Sequence, residues 1–185
     1  MKRIYSLLAL FILVLTASAQ TVVKLDFQNN VFGNTATEQV DPLVKEFSGV
    51  TMTATKGKGT TAPYLGTAEY RFYKNSTLTF SVNGTITSVK FATVTDAKYN
   101  NVAGVTQNGT PLGSDTWTGS AENSVEFVAT ASQVRLLSVE ITYTASASNV
   151  AAPTFSLEEK TYTTAQSLAL TATAGDNIFY TLNGE

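Results

Sequence analysis

The side chains available for chemistry in this sequence are carboxylates, amides, hydroxyls and aromatic rings, because the chain contains no cysteine and no histidine. Those two absences exclude thiol nucleophiles, disulfides, histidine bases and Cys/His zinc sites. Glycoside hydrolysis would need two carboxylates flanking the bond, and the acidic residues here are scattered. Glu126 and Glu140 fall on outward positions of alternating strands, which is typical of solvated charges. We therefore expect no enzyme site within these 185 residues.

Aromatic side chains beside turn residues favour a different chemistry, the stacking of a sugar ring. Trp117 is the single tryptophan and lies in a stretch rich in Thr and Gly, and Tyr64 and Tyr99 also lie near turn residues. The apolar face of a sugar packs on such rings, while polar side chains bind its hydroxyls. The candidate polar groups are Asn100, Asn101 and Asp115. The alternative is that Trp117 packs at the edge of the core. Whether the three rings share an exposed face distinguishes a binding module from a structural spacer.

Three further motifs have simpler interpretations. Arg71 alternates with inward aromatic residues in Tyr-Arg-Phe-Tyr, which predicts a cross-strand ion pair or a stacking partner rather than a ligand contact. Asp26 and Asp96 each lie near asparagines and are candidates for a structural Ca²⁺, although neither has the regular spacing of a calcium loop. The segment Gly57-Lys58-Gly59 lacks the spacing of a phosphate-binding loop and is predicted to be flexible. We expect no cofactor, with structural calcium as the alternative.

The N-terminus has the three parts of a secretory signal peptide. Lys2 and Arg3 precede an apolar run of nine residues, 7–15, and small residues follow at Ala17 and Ala19. This pattern predicts cleavage between Ala19 and Gln20, so residues 1–19 form the signal. The run is too short for the ~20 residues that span a bilayer. The mature chain is therefore expected to be secreted or at the cell surface, without a transmembrane segment.

The overall charge limits which classes of partner are expected. Lys and Arg total 12 and Asp and Glu total 14, a formal charge of −2. Without a basic excess there is no electrostatic footprint for nucleic acid. The remaining expectation is a monomeric module whose partner, if any, is a polysaccharide or surface glycan.

These candidate residues must be positioned by strands, because β-branched and aromatic residues dominate every periodic stretch. Alternation is clear in residues 22–27, 49–55, 78–82 and 137–143, the last with Ser138, Glu140 and Thr142 facing water. Asn83-Gly84 separates two alternating runs and predicts a hairpin turn; Asn108-Gly109 predicts another turn. Residues 28–46 lack a period and are expected to form a loop, with a helical turn near 42–47. The pattern predicts an all-β, antiparallel, jelly-roll-like sandwich over residues 20–144.

The rest of the chain is organised around a linker. Residues 145–152 are small and polar without periodicity, and strand-like spacing restarts after Pro153. The tail, 153–185, together with the last linker residue, contains Ala152-Pro153-Thr154-Phe155-Ser156, Thr161-Tyr162-Thr163, Ser167-Leu168-Ala169-Leu170 and Ile178-Phe179-Tyr180-Thr181-Leu182-Asn183-Gly184. On these residues the tail resembles the chitobiase/β-hexosaminidase C-terminal-like module. Asn183 replaces the usual Asp of its turn, and Lys160 stands where Gly is usual. The resemblance covers about half of such a module and implies the first strands of an incomplete immunoglobulin-like sandwich.

The larger part is similar to β-sandwich modules of secreted and surface proteins of Gram-negative bacteria. The segments that carry this similarity are 70–80, 86–91, 116–119, 125–127 and 139–143. It implies fold and location more than activity. Together these features predict an exported, non-catalytic accessory module of a larger protein that binds carbohydrate or the cell surface. The alternatives are a structural spacer or adhesion module with no ligand, or the N-terminal part of an enzyme whose catalytic domain lies beyond residue 185.

Overall fold

The computed structural model describes residues 19–146 and two short segments, 154–155 and 170–171. The predicted signal sequence up to Ser18, most of the predicted linker and most of the predicted tail module lie outside the described residues. Residues 19–146 belong to one compact unit, and the two short segments belong to a second. In the described ranges no helix is long and apolar enough to cross a membrane.

The described residues form thirteen strands and a single 3₁₀ turn at Val102–Gly104. The strands are β1 (Gln20–Asp26), β2 (Glu38–Gln39), β3 (Leu43–Phe47), β4 (Val50–Thr55), β5 (Tyr64–Leu65), β6 (Tyr70–Phe72), β7 (Thr77–Thr93), β8 (Val105–Gln107), β9 (Thr110–Pro111), β10 (Thr116–Ala129), β11 (Val134–Ala145), β12 (Thr154–Phe155) and β13 (Leu170–Thr171). Their pairings are antiparallel. The predicted all-β, antiparallel class is thereby confirmed.

Strand β7 is the centre of the architecture because it belongs to two halves of one sheet. Its first half pairs with β4 on one side and with the end of β10 on the other. Its second half pairs with β11 and with the start of β10. β11 in turn carries β1 and β6 on its far edge. Strands that pass from one half of a sheet to the other in this way form the corners of a sandwich.

One core lies between the two halves. Val50, Met52 and Ala54 of β4 are fully buried, as are Val139 and Ile141 of β11. They belong to a single cluster of buried residues although their strands pair with different halves of β7. The two halves therefore fold onto each other, which is the sandwich that the alternating sequence predicts.

The predicted hairpin at Asn83-Gly84 is wrong. Both residues lie inside β7, which continues without a turn to Thr93. Gly84 has a φ of 154°, and a Cβ there would lie only 2.2 Å from the carbonyl oxygen of Thr144. The partner strand β10 shifts register at the same level, where Asn123 has a φ of 62°. The glycine thus marks the bend at which β7 leaves one half of the sheet and joins the other.

The predicted helical turn near residues 42–47 is also wrong. Leu43–Phe47 is strand β3, which pairs with β4 in a hairpin closed by Ser48 and Gly49. These two residues have φ values of 50° and 77°, as the tightest hairpin turns require. Positions 43–47 lack clean alternation because Val44 and Phe47 stay exposed on this edge strand.

The register predicted for β11 is correct in part. Val139, Ile141 and Tyr143 are buried and Glu140 is exposed, as the alternation predicts. Ser138, however, is buried, with 8% of its surface exposed. A register shift between Leu136 and Ser138 moves this end of the strand by one position, since an extra residue in a strand reverses the side to which its neighbours point.

The segment Gly57-Lys58-Gly59 is a turn docked against its neighbours rather than a free loop. The Lys58 amide donates to the Asn75 carbonyl (3.0 Å), and the Gly59 amide donates to the Lys56 carbonyl (2.7 Å). In the second unit, Thr154 pairs with Thr171 and Phe155 with Leu170.

Candidate functional site

Trp117 lies near the start of β10, half-buried at the margin of the core. Its ring meets Phe127 edge-on, with centroids 6.0 Å apart and planes at 80°. Gly119, two residues on and on the same side of the strand, lies directly under the indole: a Cβ there would be 2.5 Å from the indole Cζ2. The glycine therefore leaves the space that the indole occupies along its own strand.

Trp117 also borders a surface groove of about 340 Å³. Its lining is Gln107, Thr110, Pro111, Leu112, Thr116, Trp117 and Thr118. We call this the Trp117 groove. Gln107 and Thr110 face each other across the β8–β9 hairpin. Its turn, Asn108-Gly109, is the one that the sequence predicts and has φ values of 49° and 78°. The hairpin thus brings the Gln107 amide and the Thr110 hydroxyl beside the ring, and Thr116 and Thr118 of β10 add two further hydroxyls.

Among the predicted polar candidates, Asp115 is the one that adjoins the Trp117 groove. Its carboxylate accepts a hydrogen bond from the hydroxyl of Thr116 (2.8 Å), which lines the groove. Asn100 and Asn101 are elsewhere, before the 3₁₀ turn. The Asn100 amide donates to the Thr95 carbonyl over 3.5 Å, and the Asn101 carbonyl accepts from Gly104. Neither asparagine lines the groove.

Tyr64 and Tyr99 are brought together in a different place. Tyr64 on β5 pairs with Arg71 on β6, which pairs with Arg135 on β11. The Arg71 guanidinium lies 4.1 Å from the centroid of Tyr64, and the Arg135 guanidinium lies 3.9 Å from that of Tyr99. We call Tyr64, Arg71, Arg135 and Tyr99 the Tyr–Arg row. The three predicted rings therefore do not share one exposed face: Trp117 borders its own groove, and the two tyrosines end the row.

Glu69 connects the two arginines of the row. One of its carboxylate oxygens accepts from Arg71 Nε at 2.7 Å and lies 3.5 Å from Arg135 Nη1. The hydrogen bond with Glu69 is the main cause that raises the pKa of the Arg71 guanidinium, against the opposing effect of burial. All three side chains are between 19% and 29% exposed, so the ion pairs are only partly screened by solvent.

The two calcium candidates already have partners. The Asp26 carboxylate accepts from the Lys24 ammonium (2.7 Å) and from the side chain of Asn29 (3.0 Å). The Asp96 carboxylate accepts from the Lys98 amide (2.9 Å), which closes a local turn. In residues 19–146 and the two short segments, no group of three or more acidic side chains is placed to hold a metal ion.

Sequence reasoning missed several residues of these two sites. Gln107 and Thr110 could have been found from the Asn-Gly turn that they flank, because a two-residue hairpin places its flanking residues side by side. Arg135 and Glu69 could not, since nothing in the sequence pairs β6 with β11.

Comparisons of the chain with protein-family models, with curated proteins and with solved structures found no match.

Proposed function

We propose that this protein is an exported, non-catalytic accessory module that binds carbohydrate in the Trp117 groove. The observation that carries the proposal is a half-buried indole bordering a groove lined by Gln107 and several threonines. A sugar presents an apolar face and a rim of hydroxyls, which matches an aromatic ring flanked by amide and hydroxyl groups. Export is supported by the secretory pattern before Gln20.

The wider setting is part of the same proposal. The larger unit is a module of the kind found in secreted and surface proteins of Gram-negative bacteria. The tail is a chitobiase C-terminal-like module, and both units serve as accessory parts of a multidomain protein at the cell surface. The support is the resemblance of the quoted segments, together with the antiparallel pairing of 154–155 with 170–171.

Binding is tested with the purified protein on an array of neutral glycans and on immobilised neutral polysaccharides. The sharpest variant is Gly119→Ala. Its Cβ would lie 2.5 Å from the indole Cζ2 of Trp117, so the indole must move, while no side chain that lines the groove is removed. We expect affinity to fall by about tenfold, or about 1.4 kcal/mol. Gln107→Ala is expected to weaken binding by a smaller factor, since it removes one neutral hydrogen bond.

The matched control is Ser120→Ala, which changes the next residue on β10, an exposed position. It should leave both affinity and melting temperature unchanged. Trp117→Ala is less informative because it also removes the contact with Phe127 and is expected to destabilise the fold by about 3 kcal/mol. Wild-type protein that binds no glycan, or Gly119→Ala protein that binds as well as wild type, would contradict the proposal.

A structural spacer is the second candidate, and the edge-on contact between Trp117 and Phe127 favours it. It is also favoured because Trp117, Tyr64 and Tyr99 do not share one exposed face. In a spacer this ring serves to close the core near the start of β10. The expected result is then a loss of melting temperature in Trp117→Ala with no glycan bound by any variant.

A further inference from the structure

The Tyr–Arg row contains an arrangement that is unfavourable for folding. Arg71 and Arg135 are directly paired across β6 and β11. Like charges directly opposite each other in a sheet are destabilising. Both side chains are also more than two-thirds buried, at 29% and 26% exposed, which strengthens their repulsion relative to fully solvated charges.

The compensation of these charges is incomplete. In the described part of the chain, Glu69 is the one carboxylate that forms ion pairs with these guanidiniums, and it uses a single oxygen for both. The Lys98 ammonium lies 5.2 Å from the Tyr99 ring and adds a further positive charge at that end. The row therefore has an excess of positive charge within a chain whose formal charge is −2.

The guanidiniums are also held in place. Arg71 is stacked on Tyr64 and Arg135 on Tyr99. The Arg135 Nε is buried and has no hydrogen-bond partner in residues 19–146, so a ligand would meet the terminal nitrogens of this guanidinium. A guanidinium fixed by stacking presents a planar fork of donors that matches a carboxylate, and less entropy is lost when it binds.

We propose that the Tyr–Arg row is a second binding site, which recognises the carboxylate of an acidic saccharide such as a uronic acid residue. The saccharide part of this inference rests on the proposed function. The charge part rests on the row alone. A bound carboxylate would relieve the repulsion between Arg71 and Arg135, and the adjoining tyrosines would border the sugar ring.

The experiment compares two polymers with the same sugar backbone, polygalacturonate and its fully methyl-esterified form, in which each carboxylate is replaced by a neutral ester. Wild-type protein is expected to bind polygalacturonate at least about tenfold more tightly, because a carboxylate adds charge-assisted hydrogen bonds. This preference should shrink as salt is raised, since these groups are partly exposed. Arg71→Gln and Arg135→Gln should each abolish the preference.

Two further variants keep the test decisive. Lys90→Gln removes the same charge from an exposed position on β7 and should change the affinity for polygalacturonate less than about twofold. Arg71→Lys retains the charge but loses the fork and should weaken binding severalfold. If Arg135→Gln is too unstable to measure, the Arg71→Lys variant tests whether the guanidinium fork is needed for binding polygalacturonate. Equal affinity for the two polymers, or equal losses in Lys90→Gln and Arg71→Gln, would overturn the inference.

The two proposals fail in different ways. Gly119→Ala should weaken binding of neutral glycans and leave polygalacturonate binding intact. If Gly119→Ala abolishes polygalacturonate binding while the arginine variants retain it, all binding belongs to the Trp117 groove and the second site is refuted. Polygalacturonate binding that depends on the arginines, with no neutral glycan bound, would support the row and refute the groove.

Discussion

At the scale of single residues, Tyr70 carries a buried hydroxyl that contributes no hydrogen bond to the fold of residues 19–146. It is fully buried between Phe27 and Phe72, with ring centroids 5.7 and 6.4 Å away. Its hydroxyl has no hydrogen-bond partner in the described part of the chain, and burial raises the pKa of the phenol. An unpaired buried hydroxyl costs about 1–3 kcal/mol.

We therefore expect Tyr70→Phe to increase the free energy of unfolding by about 1 kcal/mol, measured by urea denaturation. The comparison variant is Tyr143→Phe, at a position that is 9% exposed, where a change within about 0.5 kcal/mol is expected. A loss of stability in Tyr70→Phe would show that the hydroxyl does have a partner, such as a buried water.

Asp26 makes stability depend on acid pH. The hydrogen bond from Lys24 is the largest cause that lowers the pKa of its carboxyl below the ordinary value of 3.8, followed by that from Asn29. Because the pKa is lower in the folded state, the charged form stabilises the fold above 3.8, and this contribution is lost as pH falls through and below that value.

The expected result is that Asp26→Asn is less stable than wild type at pH 7 and that the difference disappears toward about pH 2. Urea denaturation across this pH range measures it. A difference that stays constant with pH would mean that the substitution acts through packing instead. Added salt should reduce the difference at pH 7, since the Lys24 side chain is 53% exposed.

At this scale the sequence predicts which side chains are buried better than it predicts which side chains are in contact. It correctly indicates that Arg71 alternates with buried aromatics, and for Trp117 it leaves open whether the ring binds a sugar or packs at the edge of the core. It cannot indicate that Arg71 meets Arg135, because the two lie on strands far apart in sequence whose pairing depends on the whole sheet. A site built from such contacts is visible only in three dimensions.

At the scale of elements, the bend in β7 depends on the glycine at position 84. Gly84→Ala would place a Cβ 2.2 Å from the Thr144 carbonyl oxygen, so β7 or the end of β11 must move. We expect a loss of about 3 kcal/mol in the free energy of unfolding by urea denaturation.

Gly33→Ala separates this close contact from the cost of an unusual φ. Gly33 has a φ of 65°, and a Cβ there would meet nothing within 4 Å. Its substitution should cost about 1 kcal/mol through backbone conformation alone. If the two variants are equally destabilised, the approach of Thr144 is not what requires glycine in β7.

The elements also show where alternation succeeds and fails as a predictor. β4 is predicted correctly because one face packs on the core and the other does not. Asn83-Gly84 misleads because a bend within a strand needs the same permissive residues as a hairpin turn. β3 is missed because an edge strand with exposed apolar residues has no clear two-residue period.

At the scale of the whole molecule, composition and periodicity suffice for the all-β class and for a single core, since both follow from which residues must be buried. They do not give the strand order. The sheet order β2-β5-β6-β11-β7-β10-β8-β9 joins strands that are distant in sequence. Such pairings are chosen by the fit of whole faces and not by any local signal.

The sharing of β7 and β10 between both halves of the sandwich predicts that residues 19–146 unfold as one unit. β4 and β11 flank opposite ends of β7, so opening either half exposes the core that both halves bury. Native-state hydrogen exchange should therefore give the same opening free energy for hydrogen-bonded amides of β4 and of β11. The two-residue pairing of β2 with β5 should exchange faster, which provides an internal reference for local fraying. Faster exchange of the β3–β4 hairpin than of β11 would show instead that one half opens alone, with the bend at Gly84 acting as a boundary between two units.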